Sequence, residues 1–278
     1  MVDSGNKRRV AGQALVWGLV LVGVIGIFAT LQRQLIYFPT VVEEAVLDAE
    51  AARLDLSAWR NEQGQLVGWR TVADGSAPRR ILVFHGNAGL ALQREYYVRG
   101  LQALRQGWEV FLFEYPGYGS RAGEPSEQGI KSAAADALEL LLGEDDSPVY
   151  LIGESLGSGV ASHLAANFPS EVRGLLLVTP FSSLTDVAAH HYRLLPVRTL
   201  LRERYDSMAA LPGYRGPVAF LLAGDDEVVP VALGQRLHDA YAGPKWLRII
   251  PGAGHNTLPL HPGADWWRQV FDFLLQQE

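Results

Sequence analysis

Short apolar runs alternate with longer stretches of helical periodicity along most of the chain. The short runs are mainly apolar, which indicates strands that are buried on both faces of a sheet. These predicted strands cover residues 81–84, 110–115, 149–152, 174–178, 218–222 and 247–250. Because helical stretches separate them, the pattern predicts an α/β fold, with a mostly parallel sheet covered by helices on both faces.

Other parts of the pattern extend this picture at both ends of the sheet. Alternating residues over 54–59 and 66–72 predict an antiparallel hairpin before the first parallel strand. Helices are predicted over residues 93–105, from the N-cap Ser126 to residue 142, and over Trp266–Leu275. Residues 181–216 break the alternation and are too long for an ordinary connection. We expect this segment to form a small cap over the carboxyl edge of the sheet.

The N-terminus carries the longest apolar stretch, residues 10–31, in which only Gln13 and Thr30 have polar side chains. A helix of that length spans a hydrocarbon core of about 30 Å. Three basic residues precede it and acidic residues follow, so the positive-inside rule predicts a cytoplasmic N-terminus and an exported remainder. In a bacterium, that remainder would lie on the periplasmic side of the inner membrane. A cleavable signal peptide is the alternative, with a shorter apolar region and a small-residue cleavage site.

These features divide the chain into a tail and signal-anchor helix, residues 1–33, and a globular domain, residues 34–278. The aromatic pair Tyr37 and Phe38 follows the apolar stretch and is of the kind found at a membrane interface. We therefore expect a single-pass membrane protein whose globular domain begins at the bilayer surface.

Composition excludes several classes of function. The chain has 278 residues and a net charge of −6, which leaves no electrostatic footprint for nucleic acid. It has no cysteine, so disulfides, cysteine nucleophiles and thiolate metal sites are excluded. The adjacent His190 and His191 cannot share one face of a helix, and no carboxylate pair flanks them at ligand spacing. We expect neither a metal ion nor a cofactor.

One short segment has a sequence typical of a catalytic nucleophile. Ser155 lies in a Gly-x-Ser-x-Gly sequence between Gly153 and Gly157, directly after the predicted strand 149–152 and before a small-residue helix. In a sharp strand-to-helix turn a Cβ at either glycine would collide with its neighbours, and the turn lifts the serine hydroxyl out of the sheet. A flexible glycine loop is the alternative, but the flanking strand and helix favour a nucleophile.

A serine nucleophile requires a base, and the base requires an acid to hold its tautomer. His255 lies in a glycine-rich loop after the last predicted strand, and Asp225 and Asp226 follow the strand before it. The order nucleophile, acid, histidine accompanies such a serine turn. Adjacent aspartates point in opposite directions in an extended loop, so only one can reach His255. Asp186 is a more distant candidate for the acid.

The tetrahedral oxygen formed by serine attack needs two backbone N–H donors. One is expected from Leu156, the residue after the nucleophile, and the other from Asn87 in the glycine-flanked loop after strand 81–84. The neighbouring His85 is expected to brace this loop rather than to react.

Several segments together resemble a known family. They are residues 37–39, 84–89, 115–120, 153–161, 179–184 and 252–256. As a set they are similar to the membrane-anchored α/β-hydrolases that include the eukaryotic protein depalmitoylases and many bacterial serine hydrolases. The resemblance implies an α/β-hydrolase fold and an acid in a Gly-x-x-Asp-x-x-Val-Pro pattern. Asp226 fits the Val-Pro end of that pattern, whereas Gly224 lies one residue too close and keeps Asp225 as a rival.

The sequence therefore predicts a membrane-anchored serine hydrolase that cleaves carboxylic esters or thioesters through an acyl-enzyme. Its expected substrate is a small-molecule or lipid-like acyl ester. A serine peptidase or amidase of the same fold is one alternative, because a fold does not fix a substrate. A non-catalytic, membrane-tethered binding module is the other, and the intact Ser155, His255 and acid argue against it.

Overall fold

The computed structural model describes residues 4–72 and 79–276. In chain order, the strands in these ranges are β1 (Phe38–Pro39), β2 (Leu56–Arg60), β3 (Leu66–Thr71), β4 (Arg79–Phe84), β5 (Ala88–Gly89), β6 (Trp108–Phe113), β7 (Val149–Glu154), β8 (Val172–Val178), β9 (Val218–Ala223) and β10 (Lys245–Ile250). The central sheet has the order β10-β9-β8-β7-β4-β6-β3-β2. Its neighbours are parallel from β6 to β10, while β3 pairs antiparallel with both β2 and β6.

The described residues form ten α-helices, of which several cover the two faces of this sheet. They are α1 (Ser4–Ile36), α2 (Glu44–Arg53), α3 (Glu95–Leu104), α4 (Glu127–Leu142), α5 (Leu156–Asn167), α6 (Leu184–His191), α7 (Val197–Leu200), α8 (Ser207–Ala210), α9 (Val231–Ala240) and α10 (Trp266–Leu275). One apolar layer joins the sheet to α4 and α5, and a second joins it to α3 and α10. Strands β6 and β9 are buried along their whole length because both of their faces are covered.

The predicted α/β fold with a mostly parallel sheet is confirmed. The hairpin forms as β2 and β3, and helix α10 has the predicted bounds. Ser126 caps α4 by accepting a hydrogen bond from the Gly129 N–H at 3.1 Å. Helix α2 and the β1–β5 pair were not predicted. Helix α2 buries only Leu47 and Ala51, and a two-residue strand leaves no periodic signal.

The predicted cap segment, residues 181–216, folds into α6, α7 and α8 between β8 and β9. We call it the β8–β9 insertion. Ser183 caps α6 by accepting a hydrogen bond from the Asp186 N–H at 3.1 Å. Most of the rest is irregular backbone, of which Leu201, Glu203 and Tyr205 are buried.

The N-terminal helix α1 continues to Ile36, past the predicted end of the apolar stretch. Among the described residues, no single helix has the length and hydropathy required to cross a membrane. Two segments, Leu15–Ile27 and Thr30–Ile36, meet that requirement together with a bend of 53° between them. The anchoring role predicted for residues 10–31 stays a prediction.

The predicted interfacial pair, Tyr37 and Phe38, has one exposed and one buried member. Phe38 is exposed, but Tyr37 is only 4% exposed because its hydroxyl has partners inside the protein. It donates a hydrogen bond to Glu203 at 2.6 Å and lies 2.9 Å from the Tyr205 hydroxyl.

Candidate active site

Ser155 occupies a strained turn between β7 and α5. Its backbone has φ 51° and ψ −116°, in a region that residues with a side chain rarely adopt. A Cβ on Gly153 would lie 2.5 Å from the Gly157 carbonyl oxygen, and one on Gly157 would lie 2.1 Å from the Phe84 carbonyl oxygen. The turn can therefore form only with glycine at both positions, as the sequence argument required.

His255 connects Ser155 to Asp226. The His255 Nδ1 atom lies 2.7 Å from Asp226 Oδ2, and its Nε2 atom lies 3.0 Å from Ser155 Oγ. A carboxylate only accepts hydrogen bonds, so Nδ1 carries the proton and Nε2 of the neutral ring faces the serine hydroxyl as an acceptor. The geometry suits removal of the Ser155 proton by His255.

The Asp226 carboxylate is fixed from its other side. Its Oδ1 atom accepts hydrogen bonds from the Val228 N–H at 2.9 Å and the Val229 N–H at 2.7 Å. The Asp226 side chain is 2% exposed and that of His255 11%. These bonds hold Asp226 in one orientation, in which its second oxygen is directed at the imidazole ring.

The other two aspartates that the sequence offered lie elsewhere. Asp225 is exposed, and its backbone N–H donates to the Ala253 carbonyl at 2.9 Å. Asp186 accepts a hydrogen bond from Ser182 Oγ at 2.7 Å and pairs with Arg198 at 2.9 Å. Of the three candidates, the structure brings Asp226 to His255.

Leu156 and Asn87 lie beside Ser155, where both line the same cavity. Leu156 is the first residue of α5, and the first N–H groups of a helix have no intrahelical partner. Asn87 is held by its side-chain amide, which donates to the Ile36 carbonyl at 2.9 Å. Its own carbonyl accepts bonds from the Phe38 N–H at 3.0 Å and the Tyr118 hydroxyl at 2.7 Å.

His85 supports this loop from below, as predicted. It is 1% exposed, and its Nδ1 atom lies 2.7 Å from the Gly86 carbonyl oxygen. The Tyr115 ring lies 3.9 Å from the His85 ring, and the Tyr115 hydroxyl donates to the His85 carbonyl at 2.6 Å.

An apolar cavity of about 190 Å³ opens at Ser155. Besides Asn87, Ser155 and Leu156, three parts of the chain form its walls: the last turn of α1, the β8–β9 insertion and the loop after β9. The lining side chains include Gln32, Leu35, Ile36, Phe181, Leu184, Val187, Leu201, Val228 and Val229. The end of α1 was not predicted to belong to the site. The sequence feature that could have indicated this is the pair of polar residues, Gln32 and Arg33, directly after the apolar stretch.

A second, more polar cavity of about 710 Å³ also opens at Ser155 and shares Asn87 and Val228 with the first. Its polar lining includes Arg94, Tyr96, Glu154, His255, Asn256 and His261. The two cavities give the hydroxyl of Ser155 an apolar space and a polar space.

Glu154, beside Ser155, lines the polar cavity and was not predicted to belong to the site. It pairs with Arg94 at 3.1 Å and accepts hydrogen bonds from the hydroxyls of Tyr96 and Tyr97. Burial by itself would raise the Glu154 pKa, but Arg94 and the two tyrosines outweigh it and lower the pKa, so the side chain is ionised. The sequence did indicate that Glu154 is unusual, because it is a charged residue at the end of an apolar strand.

Comparisons with known proteins indicate the family to which this chain is similar. The family model described as the alpha/beta hydrolase fold matches residues 79–206. An uncharacterised protein of Mycobacterium tuberculosis is 39% identical over 252 residues, which are 88% of each chain. Lysophosphatidylserine lipase ABHD12 of Mus musculus is 31% identical over 203 residues, 66% of this chain and 50% of its own. This chain therefore spans about half the length of that lipase.

Among solved structures, an esterase of Pyrococcus furiosus is similar, with a TM-score of 0.65 and 16% identity. The similarity covers 87% of this chain and 97% of the esterase. At that identity the likeness concerns the fold alone.

Proposed function

This chain belongs to the α/β-hydrolase family, and within that family we propose that it is a serine hydrolase of carboxylic esters or thioesters. The observation that supports this proposal is the continuous hydrogen-bonded series from Asp226 through His255 to Ser155. In this proposal Ser155 is the nucleophile, His255 the general base and Asp226 the acid that orients it. Neither a metal ion nor a cofactor takes part.

The proposed reaction proceeds in two halves. Nε2 of His255 takes the proton of Ser155 Oγ as the serine attacks the acyl carbon, and the backbone N–H groups of Leu156 and Asn87 stabilise the oxyanion. The proton then passes from His255 to the leaving alcohol or thiol, which departs and leaves an acyl-enzyme. A water molecule, activated by the same His255, releases the carboxylic acid and restores the free serine.

The two cavities suggest where the two parts of such a substrate would bind. We assign the acyl chain to the apolar cavity, because its walls are mainly aliphatic, and the leaving group to the polar cavity that contains Arg94 and Glu154. The lipase name of the ABHD12 relative also favours a lipid-like ester. The β8–β9 insertion would then act as a cap that selects the acyl group.

We further propose that residues 10–31 anchor the domain, residues 34–278, to a membrane. The stretch is apolar, and its exposed side chains on α1 include Leu15, Trp17, Leu19 and Val22. Lys7, Arg8 and Arg9 before it favour a cytoplasmic N-terminus and an exported domain. Because the end of α1 lines the apolar cavity, an anchored enzyme would have its acyl site close to the bilayer.

The acyl assignment predicts a change of chain-length preference in Leu201→Ala. Leu201 lines the apolar cavity and is 4% exposed, so its loss enlarges the space for an acyl chain. We expect the purified wild-type protein to hydrolyse p-nitrophenyl esters. We expect the variant to raise the ratio of kcat/KM for decanoate to that for acetate by about tenfold, the scale of one or two methylenes in an apolar pocket.

The matched control is Leu194→Ala, in the same insertion, where the leucine is 99% exposed. It should leave the ratio unchanged. Equal changes on short and long esters in Leu201→Ala would show that this leucine only packs, and a wild-type protein inactive on every ester would contradict the proposed function.

The membrane proposal predicts the side on which the C-terminus lies. A phosphatase reporter that folds only after export, fused after Glu278, should be active in a bacterial host. A fluorescent reporter that matures only in the cytoplasm should be dark at the same position. The opposite pattern would contradict the proposed topology.

A further inference from the structure

A buried carboxylate joins the last turn of α1 to the β8–β9 insertion. Glu203, in the insertion, is 4% exposed, and its Oε1 atom accepts a hydrogen bond from Arg33 Nε at 2.9 Å. Its Oε2 atom accepts hydrogen bonds from the Tyr37 hydroxyl at 2.6 Å and from the Glu127 N–H at the start of α4. A carboxylate so buried is stable only because these three donors replace its hydration.

Neighbouring contacts strengthen the same junction. Gln32 is 3% exposed and its side-chain oxygen accepts a hydrogen bond from the Arg202 N–H at 2.7 Å. Because the single hydroxyl proton of Tyr37 goes to Glu203, the Tyr205 hydroxyl donates to Tyr37. Two consecutive residues of α1, Gln32 and Arg33, are therefore bonded to two consecutive residues of the insertion, Arg202 and Glu203.

This junction adjoins the apolar cavity: Gln32 belongs to the cavity lining, whereas Arg33, Tyr37 and Glu203 do not. Gln32, Leu35 and Ile36 of α1 line the cavity from one side, and Leu201 lines it from the insertion. The Ile36 carbonyl also accepts the hydrogen bond from the Asn87 side chain. A displacement of the last turn of α1 would therefore move a cavity wall, while the hydrogen bond from the Tyr118 hydroxyl to the Asn87 carbonyl would still hold the Asn87 loop.

We propose that Glu203 is a positioning residue that holds the last turn of α1 as a wall of the acyl cavity and so determines which acyl chains are accepted. The acyl part of this inference rests on the proposed function, whereas the docking of α1 does not. Glu203 acts through Arg33 and Tyr37 and is not expected to touch the substrate.

Glu203→Gln is the sharpest variant, because it keeps the size of the side chain. The carboxylate offers two acceptor oxygens to three donors, while glutamine offers one oxygen and one NH₂ group. At least one of the donors from Arg33, Tyr37 and Glu127 then faces another donor. An unsatisfied buried donor is costly, so the contact should open.

The first readout is the kinetics of the full-length protein on esters of different length. In Glu203→Gln, we expect kcat/KM for p-nitrophenyl decanoate to fall about tenfold or more, the scale of lost apolar contacts in a pocket. The value for the acetate ester, which does not reach the α1 wall, should change by less than about threefold. The control is Glu124→Gln, an exposed glutamate near Arg33, which should change neither value.

The second readout does not depend on catalysis. Since the chain has no cysteine, Ile36→Cys introduces a single thiol at the cavity wall. Its reaction with a maleimide should be slow beside Glu203 and about tenfold faster or more in Ile36→Cys/Glu203→Gln, on the scale by which one unsatisfied buried donor favours local opening. Val46→Cys, at an exposed site on α2, should react equally fast in both backgrounds.

These readouts separate the possible failures. An unchanged labelling rate at position 36 would overturn the docking role, whatever esters the protein cleaves. Equal losses on the short and long esters, or no loss on either, would overturn the role in acyl selection. If the wild-type protein cleaves no ester while labelling at position 36 accelerates, the proposed function fails and the docking role is supported.

Discussion

Ser155→Ala and His255→Ala are each expected to lower kcat for p-nitrophenyl butyrate by about 10⁴-fold or more. In the proposed mechanism Ser155 supplies the attacking oxygen, and His255, whose Nε2 atom lies 3.0 Å from Ser155 Oγ, is the base. Groups that act as a unit lose most of their effect when one is removed, so the double variant should be little worse than either single variant.

A fluorophosphonate probe provides an independent measure of the same nucleophile. It should label the wild-type protein and leave Ser155→Ala unlabelled, with both proteins folded by circular dichroism. The matched control is Ser162→Ala on the same helix α5, where the buried hydroxyl has no hydrogen-bond partner among the described residues. It should keep both its labelling and its rate. Wild-type rates from purified Ser155→Ala would contradict the mechanism and favour a binding module.

The second large effect concerns the adjacent aspartates. Asp226→Asn should lower kcat by about 10⁴-fold at neutral pH, because an asparagine amide can donate to Nδ1 and thereby place the imidazole proton on Nε2. That tautomer cannot accept the proton of Ser155. Asp225→Asn should have nearly wild-type kcat, because the Asp225 side chain is exposed and its contact with Ala253 is made by the backbone.

This pair of variants is its own control, since the two substitutions are chemically identical and adjacent. The reverse pattern would assign the acid to Asp225. Near-wild-type rates in both would point to Asp186 and would contradict the geometry around His255. Full fluorophosphonate labelling in Asp225→Asn, measured beside kcat, would verify that the loop is intact.

The sequence was most informative where local geometry leaves few choices. A strand-to-helix turn at Ser155 excludes a Cβ at Gly153 and Gly157, so the residues themselves reveal the turn. Strand ends in a parallel sheet meet at one edge, so the loops of Asp226 and His255 could be placed near Ser155 before any contact was known. The choice between Asp225 and Asp226 needed the structure, because it depends on how one loop is bent.

The sequence was least informative about contacts between distant segments. Tyr37 and Glu203 are separated by 166 positions, and neither lies in a periodic pattern that would predict the other. The position of Tyr37 after an apolar stretch therefore suggested a membrane interface, although its hydroxyl is bonded to the buried Glu203 and Tyr205. The chain resembled depalmitoylases at the level of motifs, whereas the named relatives reported above include a lipase, and motifs shared by a fold do not identify a substrate.

The long sequence separation between the two sides of the α1 junction also has a consequence during translation. Arg33 leaves the ribosome 170 residues before its partner Glu203, and Ser155 leaves 100 residues before His255. At about 5–20 residues per second, tens of seconds pass between the first of these residues and the last. A nascent chain thus carries the serine without the base or the finished cavity wall. The growing polypeptide therefore cannot assemble the series from Asp226 through His255 to Ser155 until nearly all of it has been translated.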